Sequence, residues 1–195
     1  MIEKIVSRVV LASVMLVSVA VKAEVAPLDV NEESFKCMLD MTPVRDFYVD
    51  NLNAADLPAT LAVAEQGQGE YPAGSIVQLV PGEVMVKHPK GHSPVTKDWE
   101  FFELKVSPEG TNIHKRGYAD VVNQFGGNCL GCHIQAKPEF DMICEKGHGC
   151  APIPLPTAAA KVLQKTDPRC GGRYTPTPED MAILKQLRAA LSANK

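Results

Sequence analysis

An α+β domain, with an antiparallel β-sheet of four or five strands packed with helices, is predicted by three features of this 195-residue sequence. β-Branched and aromatic runs crowd residues 75–106, and Pro or Gly rather than helical stretches separate them, so neighbouring strands are joined by turns and run antiparallel. Ala- and Leu-rich stretches with apolar residues at helical spacing lie on both sides of that block. The length suits one domain with a core of its own.

Residues 1–23 stand apart. Lys4 and Arg8 precede an apolar run from Val9 to Val21, and Val21-Lys22-Ala23 sets small residues at a cleavage position, the pattern of a signal peptide. The run is shorter than the roughly 20 residues a membrane span needs, and no cysteine near the cut offers a lipid anchor. Residues 24–195 are therefore expected to be one exported domain with no stable membrane span.

Residues 24–30 read as a lead-in. Asn31 has the character of an N-cap, with Glu32 and Glu33 in the first turn and Phe35, Met38 and Leu39 at helical spacing, which predicts a helix ended by Pro43. Leu52 to Ala64 predicts a second helix, broken at Pro58. Gln66-Gly67-Gln68-Gly69 is a flexible connection. Ser75 to Val80 and Val84 to Lys87 then read as strands around Pro81-Gly82, and the Pro/Gly-containing stretch from His88 to Pro94 as a loop. Trp99 to Val106 is the clearest strand. Its alternation puts Phe101, Glu103 and Lys105 on one face and Phe102, Leu104 and Val106 on the other. Pro108-Glu109-Gly110-Thr111 turns it into a short strand near Ile113. Near the C-terminus, Thr157 to Lys165 is a short helix stopped by Asp167-Pro168. The final helix has Thr177 as N-cap, Pro178 at its first position and an apolar stripe of Met181, Ile183, Leu184, Leu187 and Leu191.

The chemistry is concentrated in Cys129-Leu130-Gly131-Cys132-His133, which follows the turn Gly126-Gly127-Asn128. Two cysteines three apart with a histidine after the second form the attachment pattern of c-type haem. Each cysteine adds across one vinyl group as a thioether, and His133 then lies under the iron as its axial imidazole. A thioredoxin-like redox pair would expect an α/β setting, whereas the preceding chain reads as β-rich. A structural zinc site would need two further ligands, which Cys144 and Cys150 could supply. Export agrees with the haem reading, since covalent haem attachment in bacteria takes place outside the cytoplasm. The expectation is a periplasmic protein with one covalent haem c, held by Cys129, Cys132 and His133.

Six cysteines less two for haem leave Cys37, Cys144, Cys150 and Cys170. An even number in an oxidising compartment predicts two disulfides. Five residues separate Cys144 from Cys150 and can close a small ring, which leaves Cys37 for Cys170. Without residues 1–23 the formal charge moves from −3 to −5, because Lys4, Arg8, Lys22 and Glu3 leave. A mildly acidic exported chain has no electrostatic basis for binding nucleic acid.

An electron carrier fills its sixth iron position with Met or a second His. Met142 lies nine residues past His133 in an irregular segment, while Met181 sits on the stripe of the last helix and reads as core. His88, His92, His114 and His148 read as surface histidines, with His148 notable on its short ring. Arg116, beside Lys115, reads as part of a solvated turn, with a haem propionate as its alternative partner.

An exported β-rich chain, Tyr71-Pro72-Ala73-Gly74-Ser75 opening its first strand, Trp99-Glu100-Phe101-Phe102 in another and one late Cys-x-x-Cys-His resemble the cytochrome P-460 family, which includes the cytochromes c′-beta. The likeness covers roughly residues 71–170. It implies an antiparallel sheet with helices over one face and haem at the sheet edge, with Cys129 and Cys132 as attachments and His133 as proximal ligand. P-460 members oxidise hydroxylamine and carry a lysine cross-linked to haem, and c′-beta members bind nitric oxide at an apolar distal face. Lys87 and Lys105 are the lysines that could cross-link here, and Gln78 stands where a strand lysine is expected; the four further cysteines go beyond the family's simple pattern. The expected function is therefore an exported haem protein with an open distal site, crowded by Phe101 or Phe102, that binds or redox-processes nitric oxide or hydroxylamine. The alternative is a periplasmic electron-transfer cytochrome with both axial positions filled, its haem domain confined to residues 120–195. Expected partners are a small-molecule ligand or substrate and a periplasmic redox partner, with a homodimer left open.

Overall fold

The computed structural model describes residues 25–153 and 155–193; the signal peptide expected at residues 1–23 lies outside them. Six antiparallel strands form one sheet in chain order: β1 (Thr42–Val44), β2 (Phe47–Asn51), β3 (Ser75–Val80), β4 (Glu83–Lys87), β5 (Trp99–Ser107) and β6 (Gly110–Gly117). Among the described residues four helices accompany it: α1 (Leu57–Gln66), α2 (Cys129–His133), α3 (Thr157–Lys165) and α4 (Pro178–Ala193). The α+β class and antiparallel sheet are as expected, with six strands in place of four or five.

The additional strands are β1 and β2, in a stretch read as helix, turn and helix. Pro43 does not end a helix there. It sits in β1 at the sheet edge, where a missing N–H costs no ladder bond. The segment expected to be helical before it forms two 3-10 turns, Glu32–Ser34 and Met38–Asp40. Asn31 does cap the first: its side chain accepts from Glu33 N–H, while Ser34 Oγ accepts from Asn31 N–H. Phe35 then turns extended, with φ −114° and ψ 94°, and closes the turn. Pro58 opens α1 instead of breaking it, since its fixed φ suits a first turn.

Both sheet faces are buried. On one, Val49, Val77, Met85, Trp99 and Phe101 pack against Ala64 of α1, Val121, Met142 and Ile143. On the other, Ile76, Val84, Val86, Phe102 and Leu104 pack against Val30, Phe35, Met38 and Met41. α3 and α4 close a smaller cluster around Val80, with Ile183 and Leu187 contributed by α4. Cys37 is bonded to Cys170 and Cys144 to Cys150, the expected pairing. Among the described residues no helix is long and apolar enough to cross a membrane.

Candidate functional site

Three directly opposed pairs on one face of β4 and β5 form the floor of the site: Glu83 with Glu103, Met85 with Phe101, and Lys87 with Trp99. Same-face residues are two apart along a strand, so these pairs are consecutive neighbours. A row runs across the sheet through Val49, Val77, Met85 and Phe101 to Gly117. Glycine ends that row, with the Val121 side chain nearest to where its own would be.

The roof is the chain that crosses back over this face. Val122 bridges Asn128, and Cys129 N–H donates to the Val121 carbonyl at 2.9 Å. Asn128 starts α2, its side-chain oxygen accepting from Gly131 N–H at 2.7 Å. This single helical turn presents Cys129, Cys132 and His133 on adjoining positions, because residues three and four apart share a face. Cys129 and Leu130 pack on the floor cluster, and the His133 ring lies 5.3 Å from that of Phe101. His133 Nδ1 donates to the Met142 carbonyl at 2.7 Å. A carbonyl only accepts, so the proton is on Nδ1 and Nε2 keeps its lone pair. Burial pushes the imidazole pKa down, partly offset by that hydrogen bond, which leaves the neutral, metal-binding form at neutral pH.

The two thiols are not bonded to each other. Burial first, and then Glu83 and Glu103, push the Cys129 thiol up to about 12, and burial also raises that of Cys132. A redox Cys-x-x-Cys pair has the reverse setting, with a lowered thiol pKa. The zinc alternative loses its other ligands, since Cys144 and Cys150 are joined to each other.

Sequence reasoning missed the Glu83–Glu103 pair. One oxygen of each, Glu83 Oε1 and Glu103 Oε2, is buried without a hydrogen-bond partner. Burial raises both carboxyls to about 7, helped at Glu83 by the charge of Glu103 and opposed by Asn123. The signal was hidden because only strand register brings two distant glutamates face to face.

Other expected residues fall in unexpected places. Lys87 Nζ is bound to Asp141 and to the Lys97 carbonyl, while Lys105 is exposed farther along β5. Gln78 faces the opposite side, its amide donating to the Val80 and Pro81 carbonyls. Met142 is buried in the floor cluster, but Met181 is 55% exposed and not part of the α4 core stripe. His114 is exposed as expected. His88 is instead buried: Nδ1 accepts from Leu28 N–H and Nε2 bonds Glu100. His92 bonds the Val25 carbonyl and the Tyr118 hydroxyl, and His148 is buried and stacked 3.7 Å from Phe140. These three are structural contacts, not surface histidines. Arg116 is not in a solvated turn either, for it forks onto Glu100 over the Phe102 ring, on the face away from His133. Phe102 belongs to that same opposite face, against Phe35.

Two separate thiols and a neutral imidazole nitrogen on one helical turn, against a floor where Met85 and Phe101 lie between a buried glutamate pair and Lys87, are a donor set that fits a covalently attached haem. The chain matches no family model, no curated protein and no solved structure.

Proposed function

We propose that this chain is an exported c-type haem protein of the cytochrome P-460 and c′-beta kind, binding or redox-processing a small nitrogen-oxide-type ligand such as nitric oxide or hydroxylamine. Cys129 and Cys132 would carry the thioethers, and His133 Nε2 would be the axial ligand. Haem, once bound, supplies an iron that takes a small ligand and exchanges electrons. The observation that carries the reading is the pairing, on one helical turn, of two unbonded thiols with a histidine whose Nδ1 is held by a carbonyl. Phe101, Met85 and Val77 form an apolar wall, and the Phe101 ring packs beside that of His133, which keeps water from the axial imidazole. Glu83 and Glu103, with carboxyls raised to about 7, can give or take a proton near neutral pH. Periplasmic location and a redox partner there belong to the same proposal.

Met85 favours the second reading, an electron carrier. It is a buried thioether opposite Phe101 on the floor, and a thioether is a common sixth ligand in such proteins. The spectrum of the reduced protein with and without carbon monoxide separates the two. A high-spin ferrous spectrum that shifts on adding carbon monoxide is expected. A low-spin spectrum indifferent to it would overturn the open site and assign the protein to electron transfer.

A further inference from the structure

Phe140 to Ile143 form a tight turn in which Ile143 N–H donates to the Phe140 carbonyl at 2.8 Å. Both central residues have positive φ, 46° at Asp141 and 66° at Met142. Asn and Gly are the usual occupants of such a turn. Asp tolerates this backbone through its short polar side chain, but Met does not favour it. A backbone of this kind persists only where its surroundings enforce it.

Here they do so from three directions. Lys87, 2% exposed, donates to both carboxylate oxygens of Asp141 at 2.9 and 2.8 Å and to the Lys97 carbonyl at 2.7 Å, which uses all three of its N–H donors. Tyr71 N–H reaches the same carboxylate at 2.9 Å. Trp99 Nε1 donates to the Asp141 carbonyl at 2.8 Å. The next carbonyl along the chain, that of Met142, takes the His133 Nδ1 proton. Removing two charges from water weighs against such a buried pair as a source of stability, so its geometric effect is the more informative one. Lys87 and Trp99 are cross-strand neighbours, and the sheet itself thereby fixes where the turn can lie.

We propose that Lys87, Asp141 and Trp99 are positioning residues for His133. They hold the strained Asp141–Met142 turn so that the Met142 carbonyl accepts from Nδ1, and in this way they set the donor strength of Nε2 toward the iron. A stronger Nδ1–H···O bond makes the imidazole more basic and favours ferric over ferrous iron. The inference rests on the haem reading above and goes beyond it by assigning the origin of the histidine's orientation.

The test uses the holoprotein, with covalent haem first verified in the parent. The ferrous iron–histidine stretching frequency, by resonance Raman, and the midpoint potential are then measured in the parent, Lys87→Met and Trp99→Phe, with Lys90→Met as control. Trp99→Phe keeps an aromatic ring in the core while removing the indole donor along with some ring volume, so it serves if Lys87→Met does not fold. The expected result is a lower stretching frequency and a higher potential in both variants and no change in the control. Folded variants whose melting temperature falls while frequency and potential stay at the parent values would overturn the proposal and leave a purely structural ion pair. A parent without covalent haem would overturn the haem reading itself, and that outcome is seen before any variant is compared.

Discussion

Glu83 and Glu103 face each other with one oxygen apiece unpaired, and this sets the sign of a pH effect. Burial raises both carboxyls from 4.5 to about 7, so the fold binds protons that the unfolded chain has already lost. Their contribution is whole below about 4.5 and falls as pH rises through about 7. Glu83→Gln and Glu103→Gln are therefore expected to stabilise the protein at pH 8.5 by about 1–2 kcal/mol each and to change it little at pH 4.5. Thermal melts across that range check this, and equal effects at both ends would contradict it. Phe101 and Phe102 offer a second contrast. Each is about 1% exposed, but only Phe101 meets His133. Either Ala substitution is expected to cost about 3–5 kcal/mol. Phe101→Ala should also shift carbon monoxide affinity several-fold, whereas Phe102→Ala, lying against Phe35, should leave it unchanged. Alternation along one strand made that facing legible in the sequence. The glutamate pair was not legible, because it depends on register between two strands.

At the scale of elements, local signals succeeded where the chain obeys them and failed where tertiary constraint intervenes. α3 lies where its composition placed it, and Thr177 does cap α4, accepting from Asp180 N–H at 3.1 Å. The hairpin of β1 and β2 escaped notice because its two-residue turn begins with Arg45 at φ 53° instead of the Asn or Gly that marks such turns. The segment before it stays in 3-10 turns while Cys37 is bonded to Cys170 and Met38 N–H donates to Asp167. That disulfide spans 133 residues and by chain entropy contributes about 5 kcal/mol, against about 2 kcal/mol for the Cys144–Cys150 ring. Denaturant melts of Cys37→Ala/Cys170→Ala and Cys144→Ala/Cys150→Ala are expected to show the larger loss in the first. The reverse order would contradict the entropic account.

On the scale of the whole molecule, the sheet is buried on both faces and its faces do different work. One carries the floor beneath α2, and the other is closed by the N-terminal segment, which the His88–Glu100–Arg116 network ties down through Leu28 and Val30. The sheet class was legible from β-branched runs between turns. The second covered face was not, because the helical spacing of Phe35, Met38 and Leu39 points to a helix that does not form, and the 3-10 turns in its place have no sequence pattern that says which surface they cover. The motif behind the haem proposal can be read from the sequence residue by residue, since the spacing such attachment requires is set by covalent geometry rather than by packing. The central claim, that Cys129 and Cys132 hold haem, is tested most directly by the intact mass of the purified protein after denaturation and extraction. The account predicts the chain plus one haem, and the chain alone for Cys129→Ala/Cys132→Ala. A parent protein whose denatured mass is that of the chain alone would contradict it.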